Sequence, residues 1–191
     1  YRYHQLFADL LRYQLRAQEG DTRILDLHRR AARWFEQHDL AADALFHYLA
    51  AGDTTAAATL VAAHAVQAFR RGEFHSVEKW LEALPEQSIL ASPRLCLDAA
   101  WICAVRDDYE PLVRFVSAAE AALPGSIYEN DPDFLGEWSA LQAFSAFLLG
   151  DAQAALTLGL QALDQLAPQS AFVRGVINIL LVDIYTSTDI G

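Results

Sequence analysis

Methionine is missing from all 191 residues, the first position included. Because the chain opens directly on YRYHQLFADLLRYQLR, we expect an internal segment of a longer protein. No apolar run approaches the roughly 18 residues that span a bilayer, and no basic-then-apolar leader opens the chain. These absences argue against a membrane or secreted protein, and we expect a cytoplasmic one.

Cysteine is scarce, and the two cysteines are Cys96 and Cys103. Seven positions apart on one predicted helix, they would share a face but lie about 10 Å apart along the axis. A disulfide does not tolerate that separation. We therefore predict two small buried thiols in a reducing compartment.

Proline and glycine are sparse, at 6 and 9 residues, whereas hydrophobic residues make up 53% of the chain. Ala and Leu outnumber β-branched residues, which favours helices over sheets. Apolar residues recur at three- and four-residue steps almost throughout, and only residues 1–4 suggest a strand. The sequence predicts an all-α fold with breaks at Gly20 and Gly52, the second followed by Asp53 as an N-cap.

A helix pair recurs along the chain after residue 70. Four short turns follow helical runs: RGEF (71–74), RDDY (106–109), LGDA (149–152) and DIG (189–191). Their central residues are 35, 43 and 41 positions apart: Gly72, Asp107, Gly150 and Gly191. Three second helices end alike, on WLEALP, EAALP and DQLAP. Antiparallel helix pairs repeated at this period predict an α-solenoid, in which each pair buries its apolar face against its neighbours.

The last predicted helix ends at IYTSTDIG, where the repeat pattern calls for a partner helix. We therefore expect a repeat truncated in its middle, with apolar side chains left uncovered. The side chains expected to lose their cover are Ile177, Leu180, Leu181 and Ile184.

Charge is unevenly distributed within the net −11. Residues 1–35 carry seven arginines against four acids, whereas the remainder carries seven bases against twenty-one acids. An acidic surface repels phosphate backbones, so we expect no nucleic-acid binding by the bulk of the chain.

Signatures of catalysis and metal binding are lacking too. No H-E-x-x-H, no Cys–His ligand spacing and no G-x-S-x-G occurs, and the phosphate-binding G-x-x-x-x-G-K-[ST] is missing. The acid pairs Asp107–Asp108 and Asp131–Asp133 flank predicted helix starts, where capping is the favoured role. We predict no catalytic residue, no metal site and no cofactor within this chain.

Residues 1–53 and 80–85 resemble a known family. YRYHQLFADLLRYQLR followed by LHRRAARWFEQHDLAADALFHYLAAGD, and the later WLEALP, are similar to segments of the MalT-like regulators, the ATP-dependent branch of the LuxR family. The resemblance implies the end of a winged-helix-like region at 1–20 and a helical arm at 21–52. It also implies a right-handed, tetratricopeptide-like superhelix at 53–191.

On the family plan, ATP binds in an upstream ATPase domain and a downstream helix-turn-helix binds DNA. This segment would then sense a small-molecule inducer or a regulatory protein and relay the signal. Two alternatives stay open: a helical-repeat scaffold not linked to transcription, and a helical domain of an enzyme whose active site lies outside this chain.

Aromatic and basic side chains are the candidate ligand or partner surface. Trp101 and Trp138 fall in the first helices of successive pairs, which line the concave face of a tetratricopeptide-like superhelix. Arg106 and Arg174 offer charge-assisted hydrogen bonds, and Tyr128 lies in the loop PGSIYENDPDF. By contrast, Trp34 and Trp80 fall on apolar stripes and are predicted to be core residues.

Overall fold

The computed structural model describes the backbone of residues 5–188 and the side chains of Leu10, Gln14 and residues 20–186. Residues 5–188 form ten α-helices and no strand, which confirms the predicted all-α fold. The strand suggested for residues 1–4 and the turn at 189–191 lie outside the described residues. The helices are α1 (Gln5–Gln37), α2 (Ala41–Ala50), α3 (Thr54–Arg70), α4 (Phe74–Ala83), α5 (Glu86–Leu90), α6 (Pro93–Val105), α7 (Tyr109–Ala122), α8 (Pro132–Leu148), α9 (Ala152–Gln165) and α10 (Ala171–Thr188).

Two compact units divide the chain, Tyr1–His64 and Ala65–Gly191, with the boundary inside α3. In the first unit α1 and α2 pack together, and α1 bends at Gly20, whose φ of 72° lies outside the helical region. Ala44, Leu45 and Tyr48 of α2 are buried, as their spacing predicts. The proposed divisions at residues 20 and 52 stay a prediction.

Trp34 corrects the predicted core. It is 52% exposed and stacks on His38, with 4.0 Å between the ring centroids. Ala32, two positions earlier, is fully buried. Two positions correspond to a rotation of about 200° around the helix axis. Trp34 therefore cannot face the same neighbour as Ala32.

In the second unit, α6 packs with α7 and α8 with α9, while α10 packs on α9 and α8. Helices α4 and α5 pack against α6. Cys96 and Cys103 both lie on α6 and are free thiols; Cys96 is buried as predicted, whereas Cys103 is only half-buried. Burial, and to a lesser extent Asp98, raises the pKa of the Cys96 thiol to about 12.

The turns predicted from the repeat share one backbone conformation. Gly72, Asp107 and Gly150 have φ of 72°, 55° and 83°. In each turn the next residue donates its N–H to the carbonyl five residues earlier: Glu73 to Ala68, Asp108 to Cys103, and Asp151 to Ala146. This is the Schellman ending of a helix, in which a left-handed residue lets the chain satisfy the last carbonyls.

The capping prediction holds in part. Asp131 accepts from the N–H groups of Asp133 and Phe134, and so caps α8. The prediction is wrong for Asp108, which precedes α7 but makes no side-chain cap bond. It is also wrong for Asp133, which lies one residue inside α8 and instead accepts from the Ala167 N–H at 2.7 Å.

Four side chains of α10 that were expected to be uncovered are buried: Ile177, Leu180, Leu181 and Ile184. They form the stripe that faces the preceding pair. At Gly159 of α9, a Cβ would lie within 4 Å of both Ile177 and Leu181, so the missing side chain lets the helices approach. Ile179 and Val182 are the most exposed large apolar residues in the described part of α10, at 66% and 59%, and Tyr185 and Phe172 are also exposed.

Candidate ligand-binding cavity

A cavity of about 300 Å³ lies within the second unit. Its wall combines the last turn of α3, two positions of α6, one of α8 and the start of α10. The lining residues are Val66, Phe69, Arg70, Arg94, Trp101, Glu137, Gln169, Ser170, Ala171, Phe172 and Val173. This volume lies at the lower end of the range typical of small-molecule sites.

Aromatic side chains make up much of the wall. Phe172 lies 5.6 Å from Trp101 and 5.7 Å from Phe74, centroid to centroid, and Phe69 lies 5.7 Å from Phe74. Trp101 is only 4% exposed, and its Nε1–H has no hydrogen-bond partner. A buried donor without an acceptor destabilises the folded chain. A ligand that supplies the acceptor removes this cost, which favours its binding.

Three charged side chains form a network at the cavity. Arg94 donates to Asp98 Oδ1 from Nε at 3.1 Å and from a terminal nitrogen at 2.8 Å. The same nitrogen lies 2.8 Å from Glu137 Oε2. Arg94 and Asp98 are nearly fully buried, which is tolerated because their charges are paired.

The network shifts the acidity of its members in opposite senses. Burial lowers the pKa of Arg94, but the carboxylates of Asp98 and Glu137 outweigh it and hold that pKa far above its usual range. Burial raises the pKa of the Asp98 carboxyl to about 6, although Arg94 opposes the change. Asp98 Oδ2 is buried without a partner, which is consistent with a disfavoured anion.

The start of α10 supplies the remaining polar wall. Ser170 donates its hydroxyl to Asp133 Oδ1 at 3.3 Å, and among the described residues no first-turn N–H of α10 is recorded as donating to this hydroxyl. The first N–H groups of a helix have no partner within it. Arg70 also lines the cavity, and the structure records no hydrogen bond or ion pair for its guanidinium among the described residues.

This chemistry is suited to binding. The cavity combines an apolar wall, unused N–H donors and a charge network. Across the described part of the chain, no group of three or more His, Cys, Asp or Glu residues could hold a metal ion. No helix there is both long and apolar enough to cross a membrane.

Of the five residues predicted for the candidate surface, only Trp101 lines the cavity. Arg106 is exposed and pairs with Glu78. Trp138 donates its Nε1–H to the Val116 carbonyl at 3.4 Å. Tyr128 stacks on Phe134, and Arg174 donates to the Leu163 and Leu166 carbonyls at 2.8 and 2.9 Å. Their role as one ligand or partner surface stays a prediction, and Arg174 satisfies the last carbonyls of α9.

Sequence reasoning did not single out the other polar residues of the cavity. Arg94 and Asp98 carried a readable signal, because a charged pair four positions apart interrupts the otherwise apolar helix PRLCLDAAWICAV. Arg70 and Glu137 carried none, since each occupies an ordinary position on a helix face. Only the packing of α3, α6, α8 and α10 shows that they share a cavity.

Helix pairs and a cavity of about 300 Å³ define the chain as an all-α helix-pair protein with a ligand-sized site. Over 174 residues, 91% of its length, it is 34% identical to the HTH-type transcriptional regulator MalT of Cronobacter sakazakii. It is 31% identical over the same share to two MalT regulators of Klebsiella pneumoniae strains. The chain spans 19% of the length of these relatives. It matches no protein-family model and no solved structure.

These relatives support the resemblance predicted from the sequence: the chain is similar to one segment of MalT-type transcriptional regulators.

Proposed function

We propose that this chain is the sensing and relay segment of a cytoplasmic, ATP-dependent regulator of the MalT-like branch of the LuxR family. It carries no catalytic centre. ATP binds in an upstream domain of the parent protein, and a downstream domain binds DNA. This segment contacts neither nucleic acid nor membrane, and it responds to a small-molecule inducer or a regulatory protein.

The cavity is the observation that carries the proposal. Its wall draws on helices α6 and α8, which open the two helix pairs, and on the first turn of α10. A ligand there touches three elements that are separated in sequence. Its binding energy therefore depends on how the pairs pack against each other.

Such a ligand acts as a switch only through differential affinity. If it binds one packing arrangement more tightly, it shifts the population toward that arrangement and nothing more. The helical-repeat segment at 53–191 then passes the shift to the arm at 21–52 and the winged-helix-like region at 1–20. The similarity to MalT regulators over 91% of the chain supports this order of segments.

The parent gene tests the proposal directly. We expect its sequence to encode G-x-x-x-x-G-K-[ST] upstream of this segment and a basic helix-turn-helix downstream. A parent with neither feature would contradict the regulator function.

A cavity-filling variant then tests the sensing role in the full-length protein. Val66→Trp places an indole in the cavity, whereas Ala121→Trp adds the same group to an exposed position of α7. With Val66→Trp, reporter transcription should no longer change between growth conditions. With Ala121→Trp, it should change between conditions as it does in the wild type. If both variants regulate transcription equally well, the cavity is not needed for sensing.

One observation favours the alternative, a helical-repeat scaffold not linked to transcription. Ile179 and Val182 present an exposed apolar strip on α10, of the kind that docks protein partners. A scaffold needs no small-molecule ligand, so its melting temperature should not rise with any cavity ligand.

A further inference from the structure

We propose that the cavity binds a small organic anion, a carboxylate carried on an aromatic or otherwise apolar body. The inference rests on the proposed sensing function and specifies the ligand class for the same site. It is drawn from unused donors, unpaired positive charge and the apolar wall.

Unused hydrogen-bond donors belong to three lining residues at the start of α10. The N–H groups of Ala171, Phe172 and Val173 open the 18-residue helix α10, and the structure records no acceptor for them within the described chain. The N-terminus of a helix carries a partial positive charge and favours a bound anion.

Trp101 provides an independent observation. Its side chain lines the cavity and lies against Phe172 of the first turn of α10, and its buried Nε1–H has no acceptor among the described residues. An indole can only donate, so what the site lacks is an acceptor. A carboxylate has two oxygens with which to serve several donors at once.

The charge of the wall is consistent with an anion. Glu137 is the acidic side chain of the lining, and Arg94 holds its carboxylate at 2.8 Å. Asp98 lies behind Arg94, on the same guanidinium. Arg70 is then the lining charge for which no acidic partner is recorded among the described residues, and it can pair with the ligand.

The ligand also needs an apolar body. Val66, Phe69 and Val173 line the cavity with Phe172 and Trp101, so most of the wall offers no hydrogen bond. A bare inorganic anion would leave these surfaces unused, whereas an aromatic or branched acid would cover them.

Isothermal titration of the 191-residue chain with three probes of similar shape tests the inference. Phenylacetate carries the anion, phenylacetamide is its neutral counterpart, and phenethylamine carries the opposite charge. We expect phenylacetate to bind about tenfold more tightly than phenylacetamide, because only the anion gains charge-assisted bonds. Phenethylamine should bind least.

Two substitutions assign the binding to the cavity. Arg70→Gln removes the unpaired charge from an exposed position and should weaken phenylacetate about tenfold without altering the fold. Trp101→Phe keeps the ring but deletes the N–H, and should weaken it about fivefold. Arg106→Gln removes an arginine outside the cavity and should change nothing.

Equal binding of acid and amide, tighter binding of the amine, or an effect of Arg106→Gln as large as that of Arg70→Gln would overturn the inference. Absence of phenylacetate binding at millimolar concentration would overturn it as well. The proposed sensing role fails separately, when the parent gene lacks the ATPase and DNA-binding motifs or Val66→Trp leaves regulation unchanged.

Discussion

Asp98 is a fully buried carboxyl whose folded-state pKa of about 6 lies above its ordinary value of 3.8. The folded chain therefore holds the Asp98 proton more tightly than the unfolded chain does. The resulting stabilisation is fully present below the unfolded value, and it is lost as pH rises from about 4 to about 6. Arg94 softens this loss because it attracts the anion, but burial is the larger effect.

The stability of Asp98→Asn relative to the wild type should therefore increase as pH rises. Relative to the wild type, its free energy of unfolding should increase by about 2 kcal/mol between about pH 4.5 and pH 7, as urea titrations would measure. Asp164→Asn removes the same charge from an exposed position of α9 and is the control for net charge. A difference between Asp98→Asn and wild type that is constant with pH would contradict a raised Asp98 pKa.

Gly136 shows how one missing methyl sets a helix contact. A Cβ there would lie 2.7 Å from Leu166 Cγ and 3.1 Å from the Leu166 backbone nitrogen. Leu166 is buried, so it cannot swing away. Gly136→Ala should lower the free energy of unfolding by about 1–3 kcal/mol through overpacking, even though Ala is the better helix former.

Gly175 is the matched control, because a Cβ added there meets nothing within 4 Å and its backbone is helical. Gly175→Ala should raise stability by about 0.5–1 kcal/mol. Thermal unfolding of both variants measures the pair, and a stabilising Gly136→Ala would disprove the close approach of α8 to Leu166.

Individual side chains of the site were only partly predictable. Trp101 followed from its place in the first helix of a pair, where a large aromatic group meets neighbouring pairs. Arg106 and Arg174 were predicted to offer hydrogen bonds to a ligand, but each already has a partner within the chain. Arg106 pairs with Glu78, and Arg174 donates to a carbonyl at the end of α9. Sequence spacing gives no information about such competition between partners.

The recurrent turn was predictable to the residue, because a left-handed position restricts which residues can occupy it. Glycine is found at 72 and 150, and aspartate, which tolerates positive φ better than most residues, is found at 107. Replacing glycine by alanine in this turn should therefore lower stability, whereas replacing aspartate by glycine should not.

Gly150→Ala should destabilise the chain by about 1 kcal/mol, because a Cβ is strained at a φ of 83° although nothing crowds it. Asp107→Gly should be neutral or stabilising by up to about 1 kcal/mol, since it relieves that strain and loses only an exposed bond from Tyr109. Urea unfolding of both variants gives the comparison. Destabilisation by Asp107→Gly larger than that by Gly150→Ala would show that side-chain contacts outweigh backbone conformation here.

Helix faces were harder to assign than helix ends. The stripe of α10 was read correctly as apolar, but which helices would cover it depends on the gap at Gly159, outside α10 itself. Trp34 was misassigned because Leu27, Ala31 and Trp34 follow a helical period, whereas the buried face of α1 centres on Ala32. Periodicity identifies a helix reliably. When several apolar residues lie on neighbouring positions, however, the same pattern is compatible with burial of either of two adjacent faces.

Across residues 5–188, the helices and the spacing of the turns at 72, 107 and 150 could be predicted because they depend on local backbone rules. The cavity could not, because it depends on how the ends of α3, α6, α8 and α10 meet. The charge distribution is the remaining property that the sequence alone determines, and it bears on which partners the chain can bind.

Electrostatic repulsion predicts that the chain does not bind duplex DNA. Residues 1–35 carry a net charge of +3 (seven bases, four acids) and the remainder −14 (seven bases, twenty-one acids). Affinity for DNA depends on phosphates neutralised by basic side chains, and the acidic majority opposes every such contact. Fluorescence anisotropy of a labelled random duplex should therefore stay constant as the chain is added at physiological salt. Binding that is lost in Arg29→Gln with Arg30→Gln would show that the basic stretch acts independently of the acidic remainder.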